Sequence, residues 1–273
     1  GSVLSIYNKD GNRNNYRATT TLGMLASRVA IEGPIPKGSF MLAARRSTLE
    51  PLLGALRANN DNIPSLFYFL DTNGKLNLDL SDNDKVSIAF YSGKDRVDFP
   101  FGDDASFKLH YGNQTISTNW THIFNENVFS NFVLTGSRYF NFPSFEIGGT
   151  PFNRDNNIYD LSLKADIEYL PSEKHTLASG VWAGVFTFRI QDQFDGQNTF
   201  GQRIHAQYAS WYAQDEWRPT TDWKILGGFR LNAFSDGNYL RLEPRISVEY
   251  LRWQRIRLQT AYGRYNQFFT LIT

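Results

Sequence analysis

The sequence contains no cysteine, which excludes thiolate nucleophiles, disulfides and Cys-ligated zinc. The same absence is compatible with export through an oxidising compartment. No apolar run approaches the roughly 18–20 residues of a transmembrane helix. Net charge is nearly absent too. The 28 Lys and Arg against 27 Asp and Glu leave +1, so no field calls for a nucleic-acid partner or an acidic substrate. Histidines number four. His110, His122, His175 and His205 lie on separate segments without ligand spacing, so they are read as wall or turn residues, with no metal site and no cofactor. A GxSxG elbow is missing and no nucleophile–His–acid set can be assembled, so no enzymatic activity is expected. The opening residues lack the charged start and apolar stretch of a secretory signal.

What the chain does have is alternation. Leu240, Leu242, Pro244, Ile246, Val248 and Tyr250 alternate with Arg241, Glu243, Arg245, Ser247 and Glu249. Trp223, Ile225, Gly227, Phe229, Leu231 and Ala233 share one parity just upstream, and Tyr159, Leu161, Leu163, Ala165, Ile167 and Tyr169 do so earlier. A period of two places successive side chains on opposite sheet faces, so these are strands with one apolar and one charged face. Tilted strands of about 9–11 residues cross a bilayer's hydrocarbon layer. Diluting apolar residues one in two hides such a wall from any helix criterion, which suits a chain only 41% hydrophobic. Aromatics make up 15%, and Trp217, Trp223, Tyr239, Tyr250 and Trp253 gather at segment ends, where an outer-membrane barrel has its girdles.

In order, the pattern predicts strands over residues 3–7, 16–31, 39–46, 66–80, 85–91, 107–124, 128–139, 159–169 and 176–188, with four more between 204 and 268. Residues 33–38 (GPIPKG) read as a tight turn and 50–65 as a long connection. Long connections at 93–106, 140–157 and 191–203 fall on one side, with 235–238 a short exception there, and short turns on the other, the habit of bacterial outer-membrane barrels. The fold class is therefore all-β, a transmembrane antiparallel up-and-down barrel. About thirteen strands is odd, and complete bacterial barrels have an even count, so residues 1–273 are expected to form part of one larger barrel domain.

Several short runs carry a resemblance. Residues 31–35 (IEGPI), 38–40 (GSF), 44–47 (ARRS), 212–217 (YAQDEW), 227–230 (GGFR), 243–245 (EPR) and 263–268 (GRYNQF) resemble the barrel of TonB-dependent outer-membrane receptors of the Bacteroidota type. The resemblance implies a barrel of about 22 strands around a plug. On that basis a plug would precede Gly1 and roughly nine strands would follow Thr273. It further implies energised uptake of a scarce solute of the siderophore, cobalamin or glycan class through the TonB system. Outer-membrane lipid, the plug and the remaining strands are the implied partners, with a surface lipoprotein a further candidate. A passive porin-like channel is the alternative, and a soluble all-β binding module a weaker one.

Phe140, Phe142, Phe145 and Phe152, with Phe194 and Phe200, are the candidate binding residues, since aromatic faces stack on sugars and flat chelates. The bland alternative is that these rings pack the loops or form a girdle. Asp95, Asp98, Asp103 and Asp104 lack EF-hand spacing and read as a solvated loop. Lys164, Asp166, Glu168, Arg241, Glu243 and Arg245 are expected to pair with one another or with a plug on the inner face.

Overall fold

The computed structural model describes residues 8–58, 63–101, 104–253 and 256–267. Its strands are Arg17–Thr21 (β1), Ala26–Ile35 (β2), Gly38–Ser47 (β3), Leu66–Asp79 (β4), Asp84–Phe101 (β5), Ala105–Asn125 (β6) and Val128–Ile147 (β7). They continue as Thr150–Ser172 (β8), His175–Phe194 (β9), Gln197–Thr220 (β10), Trp223–Phe234 (β11), Tyr239–Trp253 (β12) and Ile256–Gly263 (β13). One helix, Glu50–Arg57 (α1), interrupts the connection from β3 to β4. The thirteen strands form a single sheet in chain order, each antiparallel to the next. Among the described residues β1 and β13 do not pair with each other.

Register makes the two faces continuous, because cross-strand partners point the same way. One row runs Gly33, Phe40, Leu76, Ile88, Thr118, Leu134, Leu163, Ala183, Ala209, Ala233, Leu240 across β2–β12. From β7 onward its leucines are exposed: Leu134, Leu163 and Leu240 each show half or more of their surface, while Phe40 and Leu76 are half-buried. Leu161, Ile167, Leu242, Ile246 and Val248 share this parity, and Lys164, Asp166, Arg241 and Arg245 take the other, as the alternation predicts. A soluble sheet would cover a face like this; here it stays bare. Trp120, Tyr169, Trp217 and Trp223 border the band at the end of the short turns.

The apolar band is shorter than the strands. On β9 it spans Leu177 to Val185 and gives way to Thr187 and Arg189. β8 and β10 have 23 and 24 residues, twice what a crossing needs, so their excess projects beyond the band at one end.

That excess corrects several expectations. Most of residues 93–106, 140–157 and 191–203 are strand rather than loop, the last two stretches closed by turns at 148–149 and 195–196. Gly148 and Gly149 both have positive φ, as do Asp195 and Gly196, the backbone of two-residue hairpin turns. The extensions lie beyond the apolar band and lack its alternation, and so the period-two signal fails there. Residues 16–31 split into β1 and β2 at residues 22–25. The expected turn at 33–38 shrinks to Pro36 and Lys37. β2 runs on through Pro34, which lies past the last residue β1 pairs, so its missing N–H costs the sheet no bond on that side. The expected strand at 3–7 lies outside the described residues, as does Asp103.

Leu163→Arg places a charge in the middle of the bare band. We expect it to destabilise the folded protein in bilayers by roughly 2–4 kcal/mol. Equilibrium unfolding by denaturant in lipid vesicles measures this, and a change within the noise would mean the face meets water instead.

Candidate functional site

The face opposite the apolar band carries the charged residues among aromatic ones such as Trp182 and Phe186, and most of those charges are paired, although among the described residues Glu168 and Arg230 make no ion pair. Lys164 meets Asp166 at 2.7 Å and Arg245 meets Glu243 at 2.9 Å, both two residues apart on one strand. Tyr208 donates to Asp160 at 2.7 Å and Tyr212 to Asp166 at 2.6 Å. Arg45 with Asp71, and Glu216 with Lys224 and Arg218, extend the pattern. Arg241 instead lies over the Tyr239 ring, 5.4 Å from its centroid.

Further out, this face changes character in three register rows. Asp95, Tyr111, Asn141, Asn156, Ile190 and Gln202 form the first. Tyr111 is hydrogen-bonded to Asp95, while Asn141 and Asn156 oppose each other with their Oδ1 atoms buried and unpartnered. Next comes a bidentate ion pair, Arg154 Nε to Asp192 Oδ1 at 2.7 Å and Nη2 to Oδ2 at 2.8 Å. Beyond it Phe99, Phe107, Phe145, Phe152 and Phe194 are successive register partners on β5–β9, one ring per strand. The Phe107 and Phe145 centroids lie 4.7 Å apart. A rim of rings above a floor of amides and hydroxyls suits a solute with apolar or flat surfaces and several hydrogen-bonding groups.

Solved structures share this architecture. The sheet matches the alcaligin outer-membrane receptor FauA of Bordetella pertussis with a TM-score of 0.66 and 12% identity, over 93% of this chain and 44% of that one. The siderophore receptor PirA of Pseudomonas aeruginosa gives 0.60 and 13%, over 87% and 38%. The RagAB peptide importer in its open-open state gives 0.60 and 10%, over 91% and 36%. The fold is that of part of a TonB-dependent receptor barrel. The chain spans about two fifths of the length of the structures it matches. No family model matches the sequence, and no curated protein matches it.

On this receptor-type wall the six nominated phenylalanines divide. Phe145, Phe152 and Phe194 stand in the inner ring row, and Phe200 lies beside it as the partner of Asp192. Phe140 and Phe142 have the opposite parity and turn outward. Phe140 is buried there, edge-on to His110 at 5.1 Å, with Arg138 over its ring at 5.1 Å. The odd–even step along β7 separates them, a distinction invisible while the segment reads as loop. Phe99 and Phe107 escaped notice, although each takes the parity and register of Phe145. The Asp-Gly pair at 195–196 and Gly-Gly at 148–149, both hairpin signals, mark where the strands fold back.

The acidic residues also part company, Asp95 facing inward and Asp98 outward. The histidines stay apart: His122 bonds Asp84 at 2.7 Å, His175 bonds Asp215 at 2.8 Å, and His205 contacts Thr187 at 2.9 Å. Among the described residues no three His, Cys, Asp or Glu come together as a metal site.

Asp192 sits in the projecting part of β9, where the Arg154 guanidinium holds its carboxyl below the usual carboxylate range. A depressed folded value adds stability above the unfolded value of about 3.9 and loses it as pH falls through the lower folded value. Hydrogen exchange in the β8–β10 extensions, corrected for intrinsic rate, should therefore rise across that acidic window. Asp192→Asn should show the raised exchange at neutral pH as well. Equal protection in both proteins at every pH would remove the ion pair from the argument.

Proposed function

We propose that this chain is part of the barrel of an outer-membrane TonB-dependent receptor that takes up a scarce solute at the expense of energy. The observation that carries the reading is the division of one sheet into a bare apolar band on one face and a paired polar lining on the other. A bilayer accommodates that division, and water does not. The superposition on receptor barrels supports it independently. The solute is held against the inner face of the projecting hairpins, with rings from the phenylalanine row against its apolar surfaces and Tyr111, Asn141 and Asn156 at its polar groups. Siderophore, cobalamin and glycan classes all offer such surfaces. A plug, the TonB system and a surface lipoprotein are the partners this reading implies. No chemical conversion is assigned to the chain.

Uptake of labelled ferric chelates, cobalamins, oligosaccharides and peptides by cells carrying the full-length protein tests the reading. Energised transport stops when an ionophore collapses the proton gradient, whereas a passive channel keeps conducting. Asn141→Leu with Asn156→Leu should weaken binding of the imported solute by about tenfold, the scale of one or two lost hydrogen bonds. Transport indifferent to the ionophore would sink the receptor reading.

A further inference from the structure

The outward face holds a feature that solute uptake does not use. Across β8–β12 one register row reads Leu163, Ala183, Ala209, Ala233, Leu240. Three methyl side chains between two leucines leave a depression, and with Leu161 it forms a groove of about 780 Å³ in the apolar band. Its far end opens at Gln207 and Ser235. β11 and β12 stop there, while β9 and β10 continue outward.

Above that opening stand two arginines. Arg189 and Arg203 are direct register partners on β9 and β10, both exposed on the same outward face as the groove. Like charges placed opposite each other destabilise a sheet. Arg189 bonds Gln191 at 3.2 Å, and among the described residues neither arginine has a carboxylate in salt-bridge range. The nearest acid by register on that face is Asp155, the partner of Gln191, one step further out. Arg138, one row closer to the band, is held by Asn157 at 2.9 Å. Lys94 falls on the arginines' own row at β5. Cationic side chains thus gather where the apolar band ends.

We propose that β9 and β10 bind one phosphate-bearing lipid of the surrounding leaflet, an acyl chain in the alanine-floored groove and the phosphate between Arg189 and Arg203. The proposal rests on the receptor-barrel reading, since it needs this face in a membrane. Arg189 lies four residues beyond Val185 at the groove's end, about 13 Å at 3.3 Å per residue. Long guanidinium arms bend back over part of that distance, and a lipid's linker spans the rest. Two forked donors match a phosphate's oxygens, and the anion relieves the repulsion between them. The short β11–β12 hairpin leaves the groove open to the headgroup level.

The test is native mass spectrometry of the full-length protein, extracted from its own membrane in neutral detergent. Wild type should retain a phosphate-bearing lipid, and excess inorganic phosphate should leave it in place. Arg189→Gln with Arg203→Gln should lower retention by roughly tenfold or more, as when bidentate charge-assisted contacts are lost. Ala209→Trp, which fills the groove, should do the same, and heat-modifiable gel mobility reports that each variant is folded. Retention equal to wild type in the folded double-arginine variant overturns the proposal. Displacement by inorganic phosphate also overturns it, because it would reveal an anion site with no acyl chain. If these failures occur in a protein that still imports solute, the receptor reading survives. If the protein is absent from the membrane fraction, both readings fall together.

Discussion

Backbone N–H and C=O groups beneath a bare apolar face must find their partners within the sheet, and the rest of this structure depends on that constraint. The answer here is a ladder of nearest-neighbour antiparallel pairs running unbroken from β1 to β13. Once the ladder holds, the pleat decides everything on the two faces. A shift of one residue in the β7–β8 pairing would turn Leu163 to the charged face and Lys164 to the apolar one. Continuous pairing along β8 and β9, interrupted by only one irregularity near the short turn, shows how tightly register is specified where the faces differ most.

The inner face answers a second constraint, that of charge in a confined space. Most of its carboxylates and cations are matched over short distances, along a strand as for Lys164 with Asp166, or between strands as for Glu216 with Lys224, and Arg230 and Arg241 lie over tyrosine rings instead. Such pairs contribute modestly each, but they leave the lining close to neutral. Beyond the apolar band the same ladder carries a different set of side chains, with amides, one ion pair and a row of rings replacing the charges. Position along a strand therefore sorts the side chains: apolar band, then cationic border, then a projecting face of amides and rings.

The sequence by itself determined the wall. Period-two alternation in residues 159–169 and 223–250 established strands and which side chains share each face, because alternation is imposed directly by the pleat, while the one-sided long connections pointed to their up-and-down order. It also foretold the pairing of Lys164 with Asp166 and of Glu243 with Arg245. Beyond the apolar band the pattern vanishes, so β5, β7, β8, β9 and β10 read as shorter than they are and their extensions as loops. Only tertiary structure decided that Phe145, Phe152 and Phe194 stand in one row with Phe99 and Phe107 while Phe140 and Phe142 face away. That outcome depends on register between strands more than forty residues apart in the chain, as between Phe107 on β6 and Phe194 on β9 three strands away. It is set by hydrogen bonds across the sheet, and no local spacing of residues encodes it.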